Sequence, residues 1–240
     1  MKSLEILPGI EIAGLTLNLK KSKTLVFADL HLGFEEYLNK QGILVPRFQY
    51  SDIIQHLEKI LKKTRPETIV INGDLKHEFG SISRQEWNEV LNFLDFLKDY
   101  EIKLVKGNHD NILGPIADKK NVDVVPNYAV GSIYITHGNE IPDDKKFKES
   151  KIIIIAHDHV ALGLRDETRT EKVKCFLLGK FRNKKLIAIP SLNFITEGVD
   201  VLQQKLLSPF MQQDLGDFRV FVVEKNEVMD FGRLDKLLTI

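Results

Sequence analysis

Residues 24–31 read TLVFADLH. The first five, TLVFA, have the length and the β-rich apolar composition of a buried strand. The run ends on Asp29-Leu30-His31, which offers a carboxylate and an imidazole two residues apart. The same grammar recurs four times further along. Residues 68–72 (TIVIN) run into Gly73-Asp74, with His77 three residues on. Residues 102–106 (IKLVK) run into Gly107-Asn108-His109-Asp110. Residues 132–136 (SIYIT) run into His137-Gly138, and residues 151–156 (KIIIIA) into His157-Asp158-His159. In open α/β sheets, ligands bind outside the carboxyl ends of the strands. Aligned strand ends would therefore bring all five clusters to one edge.

Taken singly, most clusters have an ordinary explanation. Asp-x-His after a strand also suits a turn or a helix cap, and Gly-Asp is a common turn pair. His137-Gly138 is weak alone, and Gly107-Asn108-His109-Asp110 is more specific. His157-x-His159 after a fully apolar strand is hard to explain by folding. Together, in this order, they point to a metal centre, and five of the seven histidines fall within them. The donors Asp29, His31, Asp74, Asn108, His137, His157 and His159 mix carboxylate, amide and imidazole without thiolate. Such a set suits Mn²⁺, Fe²⁺, Zn²⁺ or Co²⁺ and disfavours a purely structural zinc. Seven side chains are too many for one ion, whereas two ions sharing a carboxylate would use them all. Paired ions ~3.5–4 Å apart are the usual machinery for in-line displacement at phosphorus.

The rest of the chain sets the frame. Residues 51–64 carry Ile53, Ile54, Leu57, Ile60 and Leu61 at helical spacing and stop at Arg65-Pro66. Ser83-Arg84-Gln85-Glu86 has the form of a capping box and opens a helix with Trp87, Val90, Leu91, Leu94 and Leu97 on one face. The second half reads as β-rich, with strands over 172–178, 185–189, 218–224 and 227–231 and a two-residue hairpin turn at Lys225-Asn226. Two sheets packed face to face with helices outside fit this pattern. His56 reads as a helix residue without a role and Trp87 as core. His77 is either a partner near Asp74 or a helix-start residue. Asp158, between two donors, is expected to point away from them. Residues 203–217, with Phe210 and Met211, read as a lid, a partner surface or core.

The chain of 240 residues carries 34 acidic and 34 basic side chains and is 43% apolar. Its length allows one domain over residues 1–240. Balanced charge excludes binding to nucleic acid by bulk charge alone. The single cysteine, Cys175, excludes an internal disulfide and a thiolate zinc site. Residues 1–7 lack the apolar core of a signal peptide, and the longest apolar run, 152–156, is too short to span a bilayer. The expectation is a soluble cytoplasmic protein with no membrane association.

The clusters resemble the motifs of the calcineurin-like metallophosphoesterases: Asp-x-His, Gly-Asp-x-x-(Asp/His), Gly-Asn-His-(Asp/Glu), a lone His, and Gly-His-x-His. The matching residues span 29 to 159, with Ala156 standing where the family has Gly. The resemblance implies an α/β fold, a four-layer αββα sandwich of two mixed sheets flanked by helices. It implies that Asp29, His31, Asp74 and His159 hold one ion, that Asp74, Asn108, His137 and His157 hold the other, and that Asp74 bridges. It implies that His109 faces the phosphate and protonates the leaving oxygen, and that Asp110 orients His109. Residues 29–35 with Gly42 and Pro46-Arg47, and the stretch from Arg169 through Cys175-Phe176 to Ile189-Pro190-Ser191, resemble the DNA-ligase-associated phosphoesterases of bacteria and their archaeal relatives. That branch implies a nucleic-acid or nucleotide phosphodiester substrate, DNA-repair ligase or helicase partners, and a homodimer as one possible assembly.

The expected reaction is hydrolysis by a metal-bound hydroxide, with two ions, Mn²⁺ foremost, and His109 as general acid. Three substrate readings stand. The first is a nuclease or phosphodiesterase acting on DNA or RNA. Arg165, Arg169, Lys172, Lys174, Lys180, Arg182, Lys184 and Lys185 could line its approach, against the plainer reading of a solvated strand face diluted by Asp166, Glu167 and Glu171. The second is a small-molecule phosphatase or cyclic-nucleotide phosphodiesterase. The third is a non-catalytic interaction module, which the intact donor set disfavours.

Overall fold

The computed structural model describes residues 2–80, 82–111, 113–165, 170–225 and 227–237. The chain opens as an antiparallel meander of β1 (Ser3–Leu7), β2 (Ile10–Ala13), β3 (Thr16–Leu19) and β4 (Thr24–Phe27). Helices α1 (Phe34–Lys40) and α2 (Gln49–Thr64) follow. The chain then runs through β5 (Thr68–Asn72), α3 (Arg84–Phe96), β6 (Glu101–Val105), α4 (Gly114–Lys120) and β7 (Asp123–Val125). Strands β4 to β7 pair in parallel, so the first sheet is mixed and keeps chain order, β1 to β7.

The second sheet takes β8 (Tyr128–Val130), β9 (Ile133–Ile135), β10 (Ile152–Ile155) after the short α5 (Lys145–Glu149), β11 (Val160–Arg165), β12 (Thr170–Phe181), β13 (Lys184–Ala188), β14 (Val199–Asp200), β15 (Arg219–Glu224) and β16 (Glu227–Arg233), before α6 (Leu234–Leu237). Its strand order is β14-β11-β12-β13-β10-β9-β8. The long β12 changes partner along one edge, pairing β11 through Lys174 and β15 from Cys175 onward.

Alternation along these strands separates two cores, because successive side chains of a strand point to opposite faces. Ile154, Phe176, Leu178, Ile187, Phe221 and Val223 join the core shared with the first sheet. Their neighbours Ile153, Ile155, Cys175, Leu177, Leu186, Val220 and Val222 face the other way, onto Phe147 of α5, Phe210, Met211 and Leu234. Residues 203–217 are thereby resolved: a short 3₁₀ turn at Pro209–Met211 plugs Phe210 and Met211 into the second core rather than forming a lid.

On the first sheet, α2 buries Ile53, Leu57 and Ile60 completely, each worth about 1.5–3 kcal/mol. The helix begins at Gln49, two residues before the apolar pattern does, and ends at a left-handed Arg65 ahead of Pro66. The Ser83 capping box forms in full and starts α3. Trp87 packs partly buried against the main core. In the last hairpin Glu224 pairs with Glu227; Asn226 of its turn lies outside the described residues. Among the described residues no helix is long and apolar enough to cross a membrane.

His56 has a structural role that its helical position does not announce. Its Nε2 accepts the backbone N–H of Leu15 at 3.2 Å, and its ring stacks edge-on to Phe194. Burial lowers its pKa from 6.5 to about 4, because the charged ring would be desolvated, and the Lys59 charge adds to the effect. Below pH 6.5 the unfolded chain takes up a proton that the native chain refuses, so this stability is lost as pH falls from 6.5 towards about 4. The whole term is on the order of 3 kcal/mol. His56→Gln should flatten the acid limb of stability over that window relative to wild type, measured by urea denaturation at stepped pH. Identical slopes would remove His56 from the account.

Candidate metal centre

The donors sit where the strands end. Parallel pairing of β4, β5 and β6 aligns Phe27 with Ile71 and Asn72 with Val105, so the loops bearing Asp29, Asp74 and Asn108 leave side by side. In the second sheet β9 and β10 are likewise parallel, which brings His137 level with Ala156, next to His157. Hydrogen bonds stitch the two rims together. Asn72 donates to the Thr136 carbonyl at 2.9 Å, Leu192 N–H to the Ala28 carbonyl at 2.8 Å, and His157 N–H to Asp29 Oδ2 at 3.1 Å.

The turns are sharp. Asp29, His31, Asp74, His157 and His159 all have positive φ, between 48° and 73°. A non-glycine residue in this region costs roughly 1–2 kcal/mol, so the surrounding structure must hold it there. Ala156 does not share that conformation, which is why the family's Gly is dispensable there. Two motif glycines are needed because of what lies against them. A Cβ on Gly73 would sit 2.2 Å from His137 Nδ1, and one on Gly107 would sit 2.2 Å from Asp74 Oδ1.

Asp74 stands between two clusters. Its Oδ2 lies 3.8 Å from His31 Nε2 and 3.4 Å from His137 Nε2, while its Oδ1 accepts the His109 N–H at 2.9 Å. On one side, His31 Nε2 and His159 Nε2 are 3.0 Å apart, and Asp29 Oδ2 is 3.6 Å from His159 Nε2. On the other, His137 Nε2 is 2.9 Å from Asn108 Oδ1 and 3.1 Å from His157 Nδ1. His31, Asp74 and His159 form one group able to hold an ion, and Asp74, His137 and His157 form another. Donors about 2.1 Å from a common ion lie about 3.0–3.4 Å apart for octahedral or tetrahedral angles. The spacings around His137 and between His31 and His159 match this, while Asp74–His31 and Asp29–His159 are a few tenths of an ångström wider. Asp29 adds a second sign of fit, since its Oδ1 is buried without a hydrogen-bond partner. A buried carboxylate oxygen without a partner is costly and suits a cation.

The side chains' proton balance points the same way. Burial holds His157 down to about 4 and His159 to about 3, the latter helped by the Lys174 charge, and holds His31 well below its usual value. These rings keep free lone pairs at neutral pH, as ligands must. Burial also pushes Asp29 up, and the Asp74 charge adds to it. His137 is the exception. Burial opposes its charge, but hydrogen bonding to Asp74 and the charges of Asp29 and Asp74 outweigh that and raise it to about 9. Asp74 is correspondingly lowered, against the effect of burial. A cation held by Asp29 and Asp74 would balance the negative charge that raises His137 and would displace its proton, freeing the ring as a donor.

His109 lies outside both donor groups formed around Asp74, though it makes a third imidazole group with His31 and His77, and its ring centroid is 3.7 Å from that of Phe79. Its Nδ1 bonds to the carbonyl oxygen of His77. A carbonyl only accepts, so Nδ1 carries the proton and Nε2 is left for a substrate. The structure thus gives His109 a different orienting partner from the expected Asp110. The buried Asp110 carboxylate instead accepts the N–H groups of Gly107 at 2.9 Å and Leu75 at 3.1 Å, locking the Asn108 loop to the Asp74 loop. Burial and the neighbouring Asp74 charge raise Asp110 to about 6. No spacing rule could have found the His77 carbonyl, since every residue supplies one. His77 is not at a helix start. Its Nδ1 meets His31 Nδ1 at 3.4 Å, behind the donor Nε2.

Asp158 points away from the donors, as expected, and accepts the N–H groups of Leu207 at 2.6 Å and Ser208 at 3.1 Å. Ser208 Oγ in turn donates to the Gly138 carbonyl at 2.6 Å. The basic strand face divides. Lys180, Arg182 and Lys185 are exposed. Lys184 is buried against the carbonyls of Lys148 and Ser150. Lys174 bonds Ser191 Oγ at 2.7 Å, and burial lowers it to about 8. Arg169 lies outside the described residues, as do Asp166 and Glu167.

Residues 22–193 match the calcineurin-like phosphoesterase family. The chain belongs to that family and is a metal-dependent phosphoesterase. Its fold is similar to that of the nuclease MPE of Pseudomonas putida, at 16% identity and a TM-score of 0.70, over 96% of this chain and 99% of that one. The phosphoesterase YfcE of E. coli aligns with a TM-score of only 0.44 at 8% identity, over 88% of this chain and 98% of that one. No curated protein matches the sequence.

The shared Asp74 carboxylate makes a direct prediction. After loading with Mn²⁺ and desalting, wild type should retain two ions per chain by elemental analysis, and His159→Ala about one. Asp74→Asn should fall below either. Two ions retained in Asp74→Asn would break the bridge.

Proposed function

We propose that this chain hydrolyses phosphodiester bonds of nucleic acid or nucleotides, using two divalent ions, manganese foremost, and His109 as general acid. The observation that carries the reading is Asp74 Oδ2, which lies between two imidazole groups while its other oxygen holds the His109 backbone. Asp29, His31, Asp74 and His159 would hold one ion, and Asp74, Asn108, His137 and His157 the other. When bound, the ions supply charge for the phosphate oxygens and make a water acidic enough to attack at neutral pH.

The chain's own residues do the rest. Asp29 and Asp74 fix the donor geometry from turns that cannot relax. His109 keeps its Nδ1–H on the His77 carbonyl; to act as the acid it must carry a second proton on Nε2, which passes to the leaving oxygen as the P–O bond breaks and leaves the ring neutral. Its main chain hangs on the Asp74 carboxylate, so the acid and the donor set move together. Asp110 acts on the loops that carry Asp74 and Asn108. The likeness of fold to a chain described as a nuclease supports a nucleic-acid substrate. A small-molecule phosphatase or cyclic-nucleotide phosphodiesterase is the alternative that balanced charge permits.

Mn²⁺-dependent hydrolysis of a generic phosphodiester, a phosphomonoester and single-stranded DNA, run side by side, tests the assignment. Both diesters should turn over faster than the monoester; the reverse order would reject it. His109→Ala should keep its metal and lose about 10²–10⁴-fold in turnover. Normal turnover in the metal-loaded variant would end the acid role.

A further inference from the structure

A cleft of ≈ 600 Å³ opens beside His109, and its wall is a run of aromatic rings. Phe79 packs on His109 at 3.7 Å between centroids. His77 lies 5.4 Å from His109 and continues to Phe34 at 4.2 Å and Tyr37 at 4.7 Å. Phe34 and Tyr37 are nearly parallel, at 23°. The rings come from α1 and from the loops after β5 and β6. Lys40, paired to Glu78 at 2.8 Å, closes the rim. The size is that of a small-molecule site, commonly about 300–1,000 Å³.

The outer rings are not spent on the core. Phe79 is 53% exposed and Tyr37 37% exposed. Exposed single apolar residues need no explanation, but a continuous aromatic wall ending on a catalytic imidazole does. Flat rings, rather than aliphatic side chains, favour a flat occupant, because base–aromatic stacking is gained by every nucleobase through its π-face. The position selects which part of the substrate arrives. A group bonded to the leaving oxygen lies next to the acid that protonates that oxygen, and His109 is both that acid and part of the cleft wall.

We infer that this cleft is a stacking subsite for the nucleobase of the nucleoside that departs. The inference rests on the proposed phosphodiesterase reading and names the recognition element within it. Phe79 and Tyr37 supply the stacking faces. They make the enzyme read a base at the scissile phosphate, on the side whose oxygen leaves.

Mn²⁺-loaded enzyme would be assayed on a thymidine dinucleotide and on two analogues, each with one base replaced by hydrogen. Product ends identify which oxygen leaves. Loss of the base on that side should raise KM about 10-fold, and loss of the other base should have a clearly smaller effect. In Phe79→Leu and in Tyr37→Leu, the ratio of kcat/KM between intact and leaving-side abasic substrates should fall towards one. Equal KM for all three substrates in wild type, or an unchanged ratio in both variants, would overturn the subsite. A second readout does not depend on turnover. A 2-aminopurine dinucleotide should be quenched on binding His109→Ala protein, and less so with Phe79→Leu added. If no diester is hydrolysed, the proposed function fails, and the quench still decides the cleft. If diesters are hydrolysed without regard to the base, only the subsite fails.

Discussion

Three carboxylates, Asp29, Asp74 and Asp110, are buried together where the two sheets meet, and the rest of the site follows from keeping them there. Like charges out of water repel strongly, and burial raises the energy of each. The chain answers with donors. His157 N–H holds Asp29, His109 N–H holds Asp74, and the N–H groups of Gly107 and Leu75 hold Asp110. His137 stands between two of them, 3.6 Å from Asp29 and 3.4 Å from Asp74, where either its proton or a bound cation balances their charge. Every one of these partners sits in a turn immediately after a strand. The electrostatic problem and the fold are thus one problem, since only aligned strand ends can deliver so many donors to one place.

Parallel pairing supplies that alignment without detailed design. Once β4, β5 and β6 are in register, their following residues must leave the sheet at the same level. The second sheet does the same with β9 and β10. What remains is to aim the side chains, and left-handed backbone does the aiming. Five donors take positive φ, which bends the chain sharply at each of them just past a strand end. Gly73 and Gly107 leave room for the His137 imidazole and the Asp74 carboxylate, which occupy the space a Cβ would need. Strain in the turns is balanced by packing of the strands beneath them, β4 and β5 buried throughout and β10 from Ile153 onward.

This explains which parts were readable in the sequence. Strands such as TLVFA and KIIII are short, apolar and followed by unusual chemistry, so both the element and its purpose were legible. The capping box at Ser83 was legible because its two side chains satisfy each other's backbone locally. The meander of β1 to β3 was not read, as its strands are four or five residues long and carry no donor. The shift of His109's partner from Asp110 to the His77 carbonyl was not legible, because a backbone oxygen leaves no mark in composition. The aromatic wall escaped for a different reason. Phe34, Tyr37 and Phe79 come from separate stretches, and only the docking of α1 against the loop after β5 makes them one surface. The burial of Phe210 and Met211 needed the second sheet's outer face, which α5 and α6 leave only partly covered.

Asp158 ties a distant piece of chain to the donors. It sits between His157 and His159, yet its carboxylate grips the backbone of Leu207 and Ser208, and Ser208 Oγ reaches the Gly138 carbonyl beside His137. Three imidazoles are therefore braced from behind by a segment that makes no contact with the reacting groups. Linkage between such elements is reciprocal in free energy. Occupancy of the donors would tighten the docking of residues 206–211, and loosening that segment would weaken the donors' grip. Residues 206–211 are then a buttress for the donors, and their amide protons should exchange more slowly when the centre is filled.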